Sequence, residues 1–161
     1  MDRELYDLAA VIGDALKRRA LVLVTAESCT GGWVAEAITM VPGSSEWFDR
    51  GFVTYTNRAK QEMLGVRAET LEQHGAVSQP TVEEMVTGAL THSPGHVALS
   101  VSGVAGPGGG SPSKPVGTVC FAWGRRDQSP LSETQHLEGD REAVRRQSVV
   151  VALRGLAALI T

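Results

Sequence analysis

The sequence predicts an α/β fold: a single three-layer α/β/α domain with a central mixed sheet. Three observations lead to this prediction. Short apolar runs of strand length alternate with amphipathic helical segments along the whole chain. A length of 161 residues with 42% hydrophobic content suits one domain, here residues 1–161, with one sizeable core. The last three predicted strands follow one another without an intervening helix, so some neighbouring strands must be antiparallel.

The N-terminal part alternates helix and strand. Residues 4–19 carry apolar side chains at helical spacing and end in a basic triplet, which predicts an amphipathic helix. Residues 21–26 form a continuous apolar run, as in a buried strand. A helix is expected over residues 33–40, ending before Pro42, and a strand rich in aromatic and β-branched residues over 46–56.

The middle of the chain predicts three further helices. Two short ones cover residues 57–64 and 68–75, each with a glycine near its end. The third covers residues 78–90, with Thr81 as the expected cap and Glu84 three positions further on.

The C-terminal part predicts three strands and a closing helix. The strands cover residues 96–103, 116–124 and 132–139. The closing helix extends from Asp140, its expected cap, to residue 160.

Composition excludes several classes of protein. With a net charge of −3, the protein as a whole is not attracted electrostatically to nucleic acid or to an anionic membrane surface, so we expect neither partner. No apolar run approaches the roughly 20 residues that a membrane helix needs. Two cysteines are too few for a disulfide scaffold, which indicates a cytoplasmic protein. The four histidines show no metal-ligand spacing, so we expect no metal and no cofactor.

Three loops are expected to meet at one edge of the sheet. They are "AESCTGG" (26–32), "TYTNRAK" (54–60) and "SGVAGPGGG" (102–110), each following a predicted strand. Ligands of open α/β sheets bind beyond the carboxyl ends of the strands. The third loop does not fit G-x-G-x-x-G and is followed by prolines where a helix should begin, which excludes a Rossmann dinucleotide fold.

The first loop leaves three interpretations open. A hydroxyl that opens a helix after a buried strand meets unpaired N–H groups and the positive end of the helix dipole. That setting suits a phosphate or the oxyanion of a transition state, but also an ordinary capped helix start. Local pattern alone does not decide between Ser28 and Cys29 as a nucleophile, although free cysteines are more often small buried hydrophobes.

Candidate bases and anion ligands come from two other segments. Tyr55 and Lys60 follow the second strand. Lys60 can act as a base only if its pKa falls well below the ordinary value of about 10.4. Arg141 and Arg145 lie one helical turn apart, so they could share a face and bind an anion. From these residues alone, solvated surface charges are the better interpretation of all three cations.

Four ordered blocks resemble a known family. "TAESCTGG", "GFVTYTNRAKQEMLGV", "HGAVSQPTVEEM" and "SVSGVAGPGGGSPSKPVGTVCFAW" are similar to the C-terminal domain family of the competence/damage-inducible protein CinA, from about residue 4 to about residue 160. The resemblance implies the activity of the family's stand-alone members: hydrolysis of the carboxamide of nicotinamide mononucleotide to nicotinate mononucleotide and ammonia, without a metal. It implies nothing of the N-terminal domain found in longer members.

The resemblance also implies site residues. Ser28 takes the position of the family's nucleophile, and Tyr55 and Lys60 those of its tyrosine and lysine. Cys29 falls in a slot where the family also has Leu or Ile, so it becomes a packing neighbour. We expect oxyanion donors near Gly31 and Gly32 or in the glycine-rich loop, and the phosphate on that loop with Arg145. The expected substrate-binding residues are Glu27, Thr30, Gly31, Gly32, Ser78, Ser102, Gly103, Ala105, Gly106, Gly108, Gly109 and Arg145.

Two other functions stay open from sequence: a non-catalytic nucleotide-binding or regulatory module, and an amidase for another aromatic amide. The only partner implied is the small-molecule nucleotide substrate. We also expect a homodimer or another homo-oligomer. The contact between copies could be formed by Trp47, Phe48 and the apolar end of the last helix. The same residues could equally belong to the core.

Overall fold

A five-stranded sheet forms the centre of the fold in the computed structural model, which describes residues 1–161. The strands are β1 Leu23–Glu27, β2 Phe48–Val53, β3 Val97–Gly103, β4 Thr118–Arg125 and β5 Leu131–His136. The helices are α1 Arg3–Arg19, α2 Trp33–Thr39, α3 Asn57–Leu64, α4 Ala68–His74, α5 Gln79–Thr91 and α6 Arg141–Ile160, with a 3₁₀ turn at Ser44–Glu46.

The sheet is mixed, as predicted. Its spatial order is β2-β1-β3-β4-β5. β1 runs parallel to both β2 and β3, whereas β4 is antiparallel to β3 and β5 is antiparallel to β4. The two antiparallel strands at one side distinguish this sheet from the all-parallel dinucleotide-binding sheet, so that exclusion is confirmed.

Helices cover both faces of the sheet, which confirms the three-layer architecture. α1, α2 and α6 lie on one face, over a core that includes Leu16, Leu99 and Leu153. α3, α4 and α5 lie on the other, over a smaller core that includes Leu64 and Met85. All the residues named here are buried. Alternate side chains of β1 and β3 enter the two cores, as the pleat of a strand requires.

The predicted helices and strands are all present, with two differences worth reporting. The second strand ends at Val53, before the site residues that follow it. Thr81 is not the cap of α5: Ser78 takes that position, and its Oγ accepts from the N–H of Thr81. Thr81 sits one turn inside the helix and donates its hydroxyl to the main-chain oxygen of Gly75. Asp140 is confirmed as the cap of α6.

The aromatic residues considered for a contact between copies belong to the core. Trp47 is 2% exposed, and its ring packs on Gly13 of α1, where an added Cβ would come within 2.6 Å of the ring. Phe48 is half-buried against the same core. Leu156 and Ile160, at the end of α6, are fully buried. Trp47, Leu156 and Ile160 are therefore ordinary core, whereas Phe48 and Leu159 keep part of their apolar surface exposed.

None of the helices combines the length and apolar character needed to cross a membrane.

A close approach of α3 and α5 leads to the first prediction. A Cβ added at Gly88 of α5 would lie 1.9 Å from the main-chain oxygen of Leu64, the last residue of α3. Gly88→Ala should lower the free energy of unfolding by about 1 to 3 kcal/mol, because overpacking outweighs the better helix propensity of alanine. Denaturant unfolding measures the effect. Gly108→Ala is the control, since its Cβ would meet nothing within 4 Å; equal losses in both variants would contradict the packing argument.

Candidate active site

The ends of β1 and β3 meet at the point where the chain changes direction across the sheet. From β1 the chain first passes to β2 on one side and later to β3 on the other, the arrangement at which open α/β sheets bind ligands. A pocket of about 230 Å³ lies there. Its lining residues are Ser28, Cys29, Tyr55, Asn57, Lys60, Ala76, Val77, Ser102, Gly103, Ala105 and Arg141.

A serine and a lysine are in direct contact in this pocket. Lys60 Nζ lies 3.0 Å from Ser28 Oγ, although the two residues are 32 positions apart in the chain. Lys60 Nζ also lies 3.1 Å from the main-chain oxygen of Thr54 and 3.5 Å from that of Tyr55. Ser28 follows β1, and Lys60 projects from α3, whose first turn is capped by Thr56. The two candidate catalytic side chains are therefore brought together.

The surroundings of Lys60 favour its neutral form. The residue is only 1% exposed, and burial lowers the pKa of its amine below the ordinary value of 10.5. None of its hydrogen-bond partners is a carboxylate. A neutral amine has two N–H donors and one lone pair. In the neutral form, the two N–H groups can donate to the two carbonyl oxygens while the lone pair accepts from the Ser28 hydroxyl.

Tyr55 contacts Ser28 and Lys60 through its main-chain oxygen, whereas its phenol points to another part of the pocket. The exposed Tyr55 hydroxyl accepts a 3.0 Å hydrogen bond from Arg141. It makes no hydrogen bond with Ser28 or Lys60; the main-chain oxygen of Tyr55 contacts both of them instead. The lysine is therefore oriented by main-chain oxygens and not by the Tyr55 side chain.

The Glu27 carboxylate accepts hydrogen bonds from the turn and helix that follow it. Its side chain is 1% exposed, and its Oε1 accepts from the Thr30 hydroxyl at 2.6 Å. The same carboxylate accepts from the N–H groups of Gly32, Val34 and Ala35 at the start of α2. The expected role of Glu27 and Thr30 at the substrate is therefore corrected: both hold the turn that carries Ser28.

The glycine pair after the serine shapes that turn but does not supply free donors. Gly31 and Gly32 have φ values of 61° and 105°, a region that side chains with a Cβ rarely adopt. The N–H of Gly31 donates to the Ser28 carbonyl, and that of Gly32 donates to Glu27. The expected oxyanion donors are thus already engaged. Cys29 and Ala105 are among the pocket residues whose main-chain N–H groups have no acceptor in the chain.

Cys29 has the properties of a packing neighbour. Its side chain is buried in the larger core. Burial raises the pKa of the thiol to about 11, so the thiolate is scarce at neutral pH. No lysine or histidine side chain is hydrogen-bonded to it. Serine, not cysteine, therefore has the base.

Arg141, rather than Arg145, is the arginine of the pocket. Arg145 donates to the main-chain oxygens of Cys29 and Thr30 and stacks on Trp33, so it holds the turn from outside. Arg141 lines the pocket and bridges the Tyr55 hydroxyl and the main-chain oxygen of Gly106. Only one turn of α6 separates the two, and the sequence does not show which one faces the pocket.

The glycine-rich loop enters the pocket only at its beginning. Ser102, Gly103 and Ala105 line the pocket, as expected. Gly106 offers its carbonyl to Arg141, and Gly108 and Gly109 are exposed beyond the lining. Ser78 caps α5 and lines an adjoining pocket instead.

Sequence reasoning missed three further lining residues. Asn57, at the start of α3, sits three positions before Lys60 and so shares its helical face, a spacing that could have indicated it. Ala76 and Val77 belong to the segment between α4 and α5. Their small apolar side chains carry no chemical signal in the sequence.

Known proteins match this chain over nearly its whole length. Residues 5–160 match the CinA C-terminal domain. The nicotinamide-nucleotide amidohydrolase PncC of Escherichia coli K12 is 55% identical over 96% of this chain and 94% of its own. PncC of Pseudomonas putida is 56% identical, with 96% of each chain covered. The crystal structure of competence/damage inducible protein CihA from Agrobacterium tumefaciens superposes with a TM-score of 0.96, at 44% identity, over 100% of this chain and 98% of that one.

The second prediction concerns Glu27. Glu27→Gln should lower the free energy of unfolding by about 1.5 to 3 kcal/mol, because an amide nitrogen cannot accept from the N–H groups at the start of α2 and the charge is lost. Denaturant unfolding measures the change. Glu36→Gln, on the exposed face of the same helix, is the matched control. Equal stability of the two variants would show that the buried carboxylate does not hold the turn.

Proposed function

Because the chain belongs to the CinA C-terminal domain family, we infer that it is an amidohydrolase that converts nicotinamide mononucleotide to nicotinate mononucleotide and ammonia. The relatives that carry this activity in their names are matched over 94% and 96% of their own length. The matched part of this chain therefore includes nearly all of those relatives, and we place its activity in the salvage of pyridine nucleotides.

The observation that carries the chemistry is the contact between Ser28 Oγ and Lys60 Nζ at 3.0 Å. Nucleophile and base must be within hydrogen-bond reach, and the base must be neutral at the working pH. Burial without a carboxylate partner supports the neutral form of Lys60. Serine with lysine is a known pairing of nucleophile and base on several folds.

In the first half-reaction, Lys60 takes the proton of Ser28 as Oγ attacks the carboxamide carbon. The new C–O bond converts the carboxamide oxygen into an oxyanion. We assign the free N–H groups of Cys29 and Ala105, which both line the pocket, as its donors. A donor on the residue that follows the nucleophile is a recurrent solution in serine hydrolases. Loss of one such donor typically costs about 3 kcal/mol of transition-state stabilisation.

Collapse of the tetrahedral intermediate breaks the C–N bond. Lys60 returns its proton to the departing nitrogen, so ammonia leaves as a neutral molecule and Ser28 holds the acyl group as an ester. A water molecule then gives a proton to Lys60 and attacks the ester carbon. Cleavage of the ester returns the proton to Ser28 Oγ and releases nicotinate mononucleotide.

Tyr55 and Arg141 are proposed to shape the mouth of the pocket. Arg141 links the loop after β2, through the Tyr55 hydroxyl, to the glycine-rich loop, through the Gly106 carbonyl. The exposed phenol ring lies where it can cover the pyridine ring of a bound substrate.

We further propose a cytoplasmic location and a homo-oligomeric state. The first is supported by two buried cysteines that are both free thiols. The second is supported by apolar side chains that remain exposed in one chain, such as Val53, Met63 and Leu131.

The third prediction tests the nucleophile and the base. Ser28→Ala and Lys60→Met should each lower kcat for ammonia release by about 10³-fold or more, because the nucleophile and its base work only together. For the same reason the double variant should be no slower than the worse single one. Cys29→Ala, at the adjacent position, should retain most of the activity.

Ammonia release from nicotinamide mononucleotide measures these rates, and circular dichroism confirms that each variant is folded. An active Ser28→Ala variant together with an inactive Cys29→Ala variant would reverse the assignment of nucleophile.

The fourth prediction concerns pH. The base works without its proton, so kcat/KM should rise with pH as Lys60 loses its proton in the free enzyme. Because burial lowers the pKa of Lys60, the rise should be complete below the pH range around 10.5 in which an exposed lysine titrates. A pH–rate profile, restricted to the range in which the protein stays folded, measures it. A kcat/KM that falls as the pH rises toward 9 would contradict a neutral lysine base.

A further inference from the structure

A second pocket adjoins the catalytic one at the same edge of the sheet. Its volume is about 430 Å³, and Val77 lines both pockets. The catalytic pocket, at about 230 Å³, falls below the 300 to 1,000 Å³ typical of a small-molecule site. It can hold the reacting carboxamide and its ring, but the rest of a mononucleotide must extend beyond it.

A row of small polar side chains connects the two pockets across the sheet. Glu27 pairs with Val101, so Ser28 and Ser102 come next on neighbouring strands. Ser102 pairs with Cys120 of β4, and Cys120 pairs with Thr134 of β5. Neighbouring strands lie about 4.8 Å apart, which places Cys120 roughly 10 Å from Ser28. That span is comparable to the separation of the carboxamide from the phosphate in an extended mononucleotide.

The chemistry of the second pocket suits an anion. Lys114 is half-buried there, and one of its three N–H donors is taken by the main-chain oxygen of His74. Two donors remain for a ligand. The same space is lined by His74, His136, Thr118 and Thr134, and by no Asp or Glu.

The start of α5 adds to this positive field. Its cap, Ser78, lines the pocket, and the helix is 13 residues long. The positive end of the helix dipole therefore points to the same space as Lys114, which favours a phosphate group over a neutral one.

We propose that this second pocket, on Lys114, His74 and His136, binds the 5′-phosphate of the substrate. The proposal rests on the proposed function. It moves the phosphate away from the glycine-rich loop and Arg145, where the family resemblance led us to expect it, since Arg145 is engaged by the carbonyls of Cys29 and Thr30. The nucleotide lies across the sheet edge, with its carboxamide over Ser28 and its ribose above Ser102. The exposed loop that carries Lys114 thereby determines the preference for a phosphorylated substrate.

The test compares substrates with and without the phosphate. kcat/KM is measured for nicotinamide mononucleotide and for nicotinamide riboside with wild type, Lys114→Ala and Lys17→Ala. Lys17 is an exposed lysine of α1 whose removal changes the net charge equally. Lys114→Ala should lower kcat/KM for the mononucleotide by roughly 10- to 100-fold, the worth of a charge-assisted hydrogen bond. It should leave the value for the riboside within about twofold, and Lys17→Ala should change neither.

A binding measurement separates this proposal from the proposed function. Isothermal titration with nicotinate mononucleotide should show the same 10- to 100-fold weakening for Lys114→Ala even if turnover is low. An unchanged Kd and an unchanged preference for the phosphorylated substrate in Lys114→Ala would overturn the phosphate site. Loss of that preference in Arg141→Ala, with Lys114→Ala unaffected, would overturn it in favour of the pocket mouth.

Discussion

A lysine amine buried beside a serine hydroxyl, with no carboxylate to pair with it, is the constraint on which the rest of this structure depends. Burial disfavours a charged ammonium at that position and so lowers the pKa of the amine. Its nitrogen lies within hydrogen-bond distance of the carbonyls of Thr54 and Tyr55 and of the Ser28 hydroxyl. Burial requires α3 to lie close against α5, which Gly88 permits beneath the end of α3.

Two consecutive residues at the end of β1, Glu27 and Ser28, have different roles. Successive side chains of a strand point to opposite faces, so Glu27 and Ser28 are directed apart. Glu27 satisfies the N–H groups at the start of α2 and fixes the turn. Ser28 faces the pocket and the base. The N–H groups at the start of α2, which from the sequence could have bound an anion, therefore donate to the Glu27 carboxylate. Other residues must bind the negative groups of the substrate.

The fold was predictable from the sequence because its signals are local. Apolar periodicity, caps such as Asp140 and glycines at helix ends identify every helix and strand, and the three strands without intervening helices reveal the mixed sheet. The sequence did not identify the cap of α5, since Ser78 and Thr81 both fit the pattern. Both hydroxyls donate to the Gly75 carbonyl, and the bond from the Thr81 N–H to Ser78 Oγ distinguishes them.

The site was predictable in part. The motifs and the family resemblance identified Ser28 and Lys60, whose contact the structure shows. Which of Arg141 and Arg145 faces the pocket depends on how α6 packs on the sheet, and the use of Glu27 depends on the path of the turn. Neither is a local property of the chain. The same holds for the row from Ser102 to Thr134, which exists only through strand register.

The most direct test of the central claim is to locate the acyl group during turnover. Wild-type protein is mixed with excess nicotinamide mononucleotide, quenched in acid within milliseconds, digested and analysed by mass spectrometry. The account predicts a nicotinate mononucleotide ester on the peptide that contains Ser28. The ester should be retained in Cys29→Ala and absent in Ser28→Ala. An adduct carried by Cys29, or rapid turnover with no acyl group on either side chain, would contradict it.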